Sequence, residues 1–318
     1  MAHNLRHLLY IIYRHYFNRP INQRHCYDYP SENNGWKKIG NRPVWGNRET
    51  GTMFDPYVLR LDSKFLMVVS ARKTKSIILV ESTDGECWKS PQLLLTGRDG
   101  KWDDIVNRGC LVQHNGKLYL WYTGQYNDKS FIGLAVSSDN KTYLRIQDSP
   151  VLSAEAKHEG QSVMNPCVIW DEKENIFKMW YSAGETYEPD VSCYAERIDG
   201  IRWTKHHKPV LTKYPQHKWE QYKIGGCHVV KQDDDSYLIY YIGYQNIDVA
   251  RICMAYSHDG INWERDNNNL LIAPTKDSWD ADSIYKPSVI DCDGELYLWY
   301  NGRKAMEEYI GLCKKNIK

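Results

Sequence analysis

Residues 283–303 read SIYKPSVIDCDGELYLWYNGR, and the rest of the chain is built from variants of this stretch. Lys286 to Ile290 alternates and is β-branched, which predicts a short strand. Asp293-Gly294 is a hairpin turn signal, because glycine accepts a positive φ. Leu296 to Tyr300 predicts the return strand, and Gly302 ends it. Four more copies precede it. Asp55-Pro56-Tyr57-Val58 is followed by Phe65 to Val68, and Arg108-Gly109-Cys110-Leu111-Val112 by Leu118 to Tyr122. Asn165 to Ile169 is followed by Phe177 to Tyr181, and Gly225 to Val229 by Tyr237 to Tyr241. The copies start at Asp55, Arg108, Asn165, Gly225 and Lys286, a long period that marks an array of sheet units rather than two unrelated folds.

Each unit extends to four strands. The third strands are 78–82, 132–137, 192–196 and 252–257. Turns such as Ser82-Thr83-Asp84-Gly85 and Ser257-His258-Asp259-Gly260 lead into the fourth strand. The last unit has only three strands and stops near Cys313. An orphan fourth strand lies at 36–44, where Trp36 to Val44 resembles Trp203 to Leu211. Ring closure accounts for both facts: the N-terminal strand completes the C-terminal blade and hides its open edge. The expected fold is all-β, a five-bladed β-propeller over residues 36–318. Residues 1–35 form a separate basic, aromatic helix and linker. Within them Leu5 to Arg19 has moderate helical periodicity, which suits a helix docked on the domain, on another subunit, or peripherally on a membrane surface.

Of the 318 residues, 24 are Tyr and 12 are Trp against five Phe, a bias toward rings that pack on one side and hydrogen-bond on the other. The net charge of +1 gives no reason to expect nucleic acid. Nine Cys without a CxxC pair, and no leader sequence, predict free thiols and a cytoplasmic location. Cys110, Cys167 and Cys227 recur at one repeat position and read as small buried apolar groups. There is no P-loop, HExxH or Ser elbow, and His114, His158, His217 and His228 lack metal-ligand spacing, so no cofactor or metal is expected.

Three sets of residues are candidates for chemistry. In a propeller the first strand of each blade lines the channel, so Asp55, Arg108, Asn165, Gly225 and Lys286 point toward its mouth. They differ while their surroundings repeat, which hints at function. Upstream lies a ring of acids: Glu49, Asp103 or Asp104, Glu159, Glu220 and Asp280. Their recurrence suits a structural job, and one or two are also candidate catalytic carboxylates, since glycosidic chemistry uses a pair. The third set follows the second strands: Arg72, Lys73, Gln125, Glu185, Gln245, Arg303 and Lys304. Arg72, Arg108, Lys286 and Arg303 converging on one channel predict an anion there: a phosphate, a sugar phosphate or an acidic sugar.

The pattern X-Pro-x-Val, Asp-Gly, Trp-Tyr-x-Gly, then Ser-x-Asp-Gly-x-x-Trp resembles the five-bladed β-propeller glycosidase superfamily, over residues 36–316. That group includes invertase-like family 32, arabinanase-like family 43 and the mannoside phosphorylases of family 130. The resemblance implies that Asp55, before Pro56, is the catalytic base. It implies two further carboxylates at the positions of Asn165 and Gly225, which this chain has lost; Glu159, Glu185 and Glu220 are the neighbouring substitutes. The expected function is a carbohydrate-active enzyme acting on a glycosidic or glycosyl-phosphate bond, in intracellular glycan metabolism or polysaccharide biosynthesis. Asp55 with Glu159 or Glu220 would be catalytic, and Arg72, Arg108, Asn165, Glu185, Lys286 and Arg303 would bind substrate. Hydrolase, phosphorylase, glycosyltransferase and non-catalytic glycan-binding propeller all remain open at this level.

Overall fold

A computed structural model describes residues 34–89, 91–246 and 249–317, with the side chains of 266–269 left aside. The expected helix at Leu5 to Arg19 lies outside the described residues. Twenty strands form five four-stranded antiparallel sheets. Blade 1 comprises β2 (Met53–Leu61), β3 (Lys64–Ala71), β4 (Ser76–Ser82) and β5 (Gln92–Thr96). Blade 2 comprises β6 (Ile105–His114), β7 (Lys117–Tyr126), β8 (Lys129–Ser137) and β9 (Leu144–Arg145). Blade 3 comprises β10 (Ser162–Asp171), β11 (Ile176–Gly184), β12 (Val191–Arg197) and β13 (Thr204–Lys205). Blade 4 comprises β14 (Lys223–Lys231), β15 (Tyr237–Tyr244), β16 (Ala250–Ser257) and β17 (Glu264–Ile272). Blade 5 comprises β18 (Ser283–Asp291), β19 (Glu295–Lys304), β20 (Glu307–Asn316) and, as its outer strand, β1 (Lys37–Lys38).

The displaced strand therefore closes the ring. Lys37 pairs with Lys314 and Lys38 with Cys313, and Val44 N–H donates to the Ile310 carbonyl at 2.7 Å. Each first strand also packs against the first strands of both neighbouring blades, β18 against β2 included. The outer strands are shorter than the sequence pattern suggests. β9 and β13 are two-residue ladders, with Leu152 and Leu211 re-pairing further along as isolated bridges.

The repeated Trp-Tyr of the second strands has two structural jobs. Trp121, Trp180 and Trp299 are wholly buried between blades. Each donates its indole N–H across the interface to the next blade's Asp-Gly turn: Trp121 to the Gly200 carbonyl at 3.0 Å, Trp180 to Gly260 at 2.7 Å, Trp299 to Gly85 at 2.9 Å. Those glycines have φ of +64°, +73° and +75°, and a Cβ on any of them would lie 2.8–2.9 Å from the ring. Burying one indole removes roughly 200 Å² of mostly apolar surface from water, worth about 5 kcal/mol before entropy is counted.

The Tyr of the pair meets an acid. Asp103 Oδ2 accepts from Tyr122 (3.1 Å) and from Arg145 on the outer strand (2.7 Å). Glu159 accepts from Tyr181 (2.7 Å) and Lys205 (3.0 Å), and Glu220 from Tyr241 (2.7 Å) and Arg265 (2.8 Å). Asp280 accepts from Tyr300 (3.0 Å) and Lys38. In four blades this clasp ties the loop entering the blade to its second and fourth strands. Blade 1 has Val69 at the Tyr position, and there Glu49 is exposed.

Candidate active site

All five first strands carry a β-bulge at the same level, where the register skips between Phe54 and Tyr57, Asn107 and Cys110, Met164 and Cys167, Ile224 and Cys227, and Tyr285 and Ser288. The residue opening four of these bulges has a left-handed backbone: Asp55, Arg108 and Asn165 at φ +54° and Lys286 at +39°. Asp and Asn tolerate this region, whereas Arg and Lys are held there at a cost of about 1 kcal/mol. Side chains of the preceding blade's second strand fasten the bulges. The Arg108 N–H donates to Ser70 Oγ (2.8 Å), the Asn165 N–H to Thr123 Oγ1 (3.0 Å) and the Asp55 N–H to Asn301 Oδ1 (3.3 Å).

The bulges bring Asp55 and Arg108 together at the channel. Arg108 Nε donates to Asp55 Oδ2 at 3.2 Å, and Arg108 Nη1 reaches the Thr186 carbonyl at 3.2 Å. Asp55 is 8% exposed. Burial pushes its carboxyl above the ordinary range, partly offset by Arg108 and Lys286, with the Glu308 charge adding to the rise. Glu308 is held by Arg72 (3.1 Å) and by Asn301 (3.0 Å), the same Asn301 that receives the Asp55 N–H.

Three of the four cations expected to hold an anion are engaged by other groups. Lys286 is wholly enclosed, its Nζ donating to the Cys227 carbonyl at 2.8 Å, so its charge lies beneath the mouth instead of lining it. Arg72 is exposed and committed to Glu308, with its guanidinium 4.9 Å from the Phe54 ring centroid. Arg303 is buried, stacked over Tyr285 at 5.5 Å. Asn165 is 4% exposed and donates Nδ2 to Ser182 Oγ (3.1 Å). Glu185 is exposed and paired with Lys223 at 2.7 Å.

Glu159 and Glu220, the expected catalytic partners of Asp55, are corrected by the clasp geometry. Both are wholly enclosed. Glu159 Oε2 also accepts the Glu155 and Ala156 amides, and Glu220 Oε1 meets His217 Nδ1 at 2.7 Å. They do the same work as Asp103 and Asp280, which the repeat places identically, and they do not face the mouth.

The structure adds residues that sequence reasoning passed over. The loop between β11 and β12 carries Thr186, Tyr187 and Glu188. Lys223 fixes it by donating to the Glu188 carbonyl at 2.8 Å, and Tyr187 by donating to Asp128 at 3.2 Å. Tyr244 is buried beside it. Burial lifts its hydroxyl well above the ordinary value; Tyr285, Glu188 and Asp55 add to the rise and Arg108 opposes it. Glu188, Asp55 and Arg108 thus act on one hydroxyl. The signal available in the sequence was loop length: six residues separate β11 from β12, against two between β7 and β8. Among the described residues no set of His, Cys, Asp or Glu converges as metal ligands would.

The fold and this mouth define a class: a five-bladed propeller with a carboxylate and a guanidinium paired on its first strands. Residues 79–224 match the family model for the glycosyl hydrolases family 32 N-terminal domain. An uncharacterized protein of Mycobacterium tuberculosis is 27% identical over 223 residues, covering 66% of this chain and 71% of that protein. A β-1,2-mannobiose phosphorylase of Thermoanaerobacter sp. (strain X514) is 32% identical over 152 residues, covering 42% of this chain and 48% of the enzyme, about half its length. A solved glycoside hydrolase superposes with a TM-score of 0.72 at 21% identity, over 93% of this chain and 95% of that one, which speaks for the fold. The chain thus folds as a five-bladed β-propeller and, over part of its length, is similar in sequence to glycosyl hydrolases of family 32 and to a mannoside phosphorylase.

Proposed function

We propose that the protein is a carbohydrate-active enzyme that cleaves or forms a glycosidic bond at the channel mouth by glycosyl transfer to or from phosphate, with Asp55 as general acid. The observation that carries this reading is the buried Asp55 carboxyl, lifted by burial and abutted by Arg108. Breaking a glycosidic bond needs a proton for the leaving oxygen and a nucleophile at the anomeric carbon. A carboxyl with a raised pKa supplies the first. The other four first strands carry Arg108, Asn165, Gly225 and Lys286 at this level, none of them a carboxylate, so the nucleophile comes from outside the protein. Arg108, with the Lys286 charge beneath, favours an anion there, and hydrogen phosphate is the simplest one.

In this scheme the bond from the anomeric carbon to the leaving oxygen breaks and a bond to a phosphate oxygen forms. The Asp55 proton passes to the leaving oxygen, and the phosphate's own proton returns to Asp55. Run backwards, the constellation moves a sugar from a glycosyl phosphate to an acceptor hydroxyl, which suits glycan assembly as well as breakdown. The match to a β-1,2-mannobiose phosphorylase supports this direction of thought. Hydrolysis is the second reading, favoured by Glu188, whose carboxylate shares the Tyr244 neighbourhood with Asp55.

The test is to incubate the protein with β-linked mannobiose and other glycosides, with and without phosphate, and with nucleotide sugars, following products by mass spectrometry. Sugar phosphate formed only with phosphate, and lost at least 1,000-fold (~10³, the scale of removing a catalytic acid) in Asp55→Asn, is the expected result. Asn keeps the left-handed backbone at this position. Free sugar at equal rates without phosphate, abolished by Glu188→Gln, makes the protein a hydrolase. Saccharide binding without product under any condition makes it a non-catalytic propeller.

A further inference from the structure

The first strands of blades 2 and 3 end, at the face away from the mouth, in a half-open cavity of about 630 Å³. It lies between the β6–β7 and β10–β11 hairpins. Its lining includes Trp170, His114, Gln113, Asn115, Asn175 and Glu172. From Arg108 to His114 is six strand residues, so the cavity is roughly 20 Å from the site already described.

Trp170 is not explained by the repeat. It stands five residues after Asn165, where the other first strands carry Arg60, Gln113, Val230 and Asp291. It is half-buried, with its ring centroid 3.9 Å from that of His114 and 4.8 Å from that of Phe177. The aromatic wall is thus anchored in the core while bordering the cavity. Around it stand three exposed primary amides, Gln113, Asn115 and Asn175, and one exposed carboxylate, Glu172. Asn115 and Asn175 have φ of +48° and +54°, so the hairpin turns fix their backbones. No Lys or Arg lines the cavity.

We infer that this cavity is a second saccharide site, for an uncharged sugar unit. Its volume falls in the range of about 300–1,000 Å³ usual for small-molecule sites. Aromatic rings take the apolar C–H face of a pyranose or furanose, while amides both donate to and accept from hydroxyls. An anionic sugar would meet Glu172 and no cation. The site therefore differs in ligand charge from the mouth, and it would hold a neutral stretch of a glycan whose other part is processed, or held, on the opposite face. It stands or falls independently of the chemistry proposed for Asp55.

The experiment is native electrophoresis of the full chain in gels containing soluble mannan, arabinan or levan. It uses the Asp55→Asn protein so that the polysaccharide stays intact. At least one of the three should slow migration twofold or more relative to a gel without polysaccharide. Adding Asn115→Gly with Glu172→Ala should restore free migration; glycine preserves the left-handed turn while removing the amide. Trp170→Ala should do the same, and because it also removes a core contact, the exposed double variant decides the matter if Trp170→Ala unfolds. In the otherwise native chain the double variant should leave turnover of small glycosides unchanged. No retardation with any of the three, or retardation that persists in the double variant, overturns the assignment.

Discussion

The imidazole of His228 sits among the first strands with Lys286 nearby, and it is neutral for a physical reason. Burial, then the Lys286 charge, pushes its pKa down to about 3. Its Nδ1 accepts the Val289 N–H at 2.8 Å, and its ring stands edge-on to Tyr57. An unfolded chain protonates histidine near pH 6.5 (roughly), so the folded value is depressed. The contribution is complete above that pH and is lost as pH falls from about 6.5 toward about 3, at up to about 1.4 kcal/mol per pH unit. Carboxylates add their own acid dependence, so the comparison is with His228→Asn, whose side-chain oxygen can take the Val289 N–H. The wild type should lose denaturation midpoint between pH 6.5 and 4 (about this window) more steeply than the variant. Parallel slopes in urea titrations would show that the imidazole is not the acid-sensitive group.

At the level of elements, the clasp and the indole wedge explain why the Trp-Tyr pair recurs. Glu159→Ala would leave the buried Tyr181 hydroxyl without its carboxylate acceptor and strip Lys205 of its buried counter-charge, leaving it the Ser153 carbonyl and exposed Glu155. The expected loss is about 3 kcal/mol, seen as a fall of roughly 5–10 °C in Tm, with turnover per folded molecule unchanged. A thousandfold fall in turnover with unaltered Tm would instead restore Glu159 to the catalytic group. Gly200 tests the wedge. Its φ of +64° and the 2.8 Å approach of Trp121 to a would-be Cβ leave no room for alanine. Gly200→Ala should cost about 2 kcal/mol or more, whereas Gly100→Ala, also at positive φ but with open space around it, pays only the backbone strain. Thermal unfolding of the pair separates steric from conformational cost.

For the whole molecule, stability rests on closure. β1 is only two residues long, yet it covers the edge of β20, buries Trp36 against Tyr240 and delivers Lys38 to the blade 5 clasp. Removing residues 1–45 should expose the β20 edge and leave Asp280 without its cation. The expected outcome is a Tm lowered by about 10 °C or more and concentration-dependent aggregation on gel filtration, as open strand edges invite pairing. A monodisperse truncated chain with unchanged Tm would mean that the ring does not need its N-terminal strand. Among the described residues no helix is long and apolar enough to cross a membrane.

What the sequence determined by itself was the number of blades, their strands and the closing of the ring. Those follow from local patterns: alternation, Asp-Gly turns, and a spare fourth strand at the wrong end of the chain. It also pointed to Asp55 and Arg108, because they stand at the one position of the first strands that varies while its surroundings repeat, and the Asp-Pro pattern singled out Asp55. Only the tertiary structure decided what the recurrent acids do. Glu159 and Glu220 look like catalytic carboxylates in a string of letters, and become structural once Tyr181, Tyr241, Lys205 and Arg265 are seen to fold back on them. It decided likewise that Lys286 turns inward to a carbonyl, that Glu308 acts on Asp55 from a strand of blade 5, and that Glu188 meets the same tyrosine as Asp55 from a loop of blade 3. Strand periodicity is a short-range property and survives in sequence. The direction of a side chain at a bulge, and the meeting of loops from separate blades, depend on how the sheets twist around a common axis.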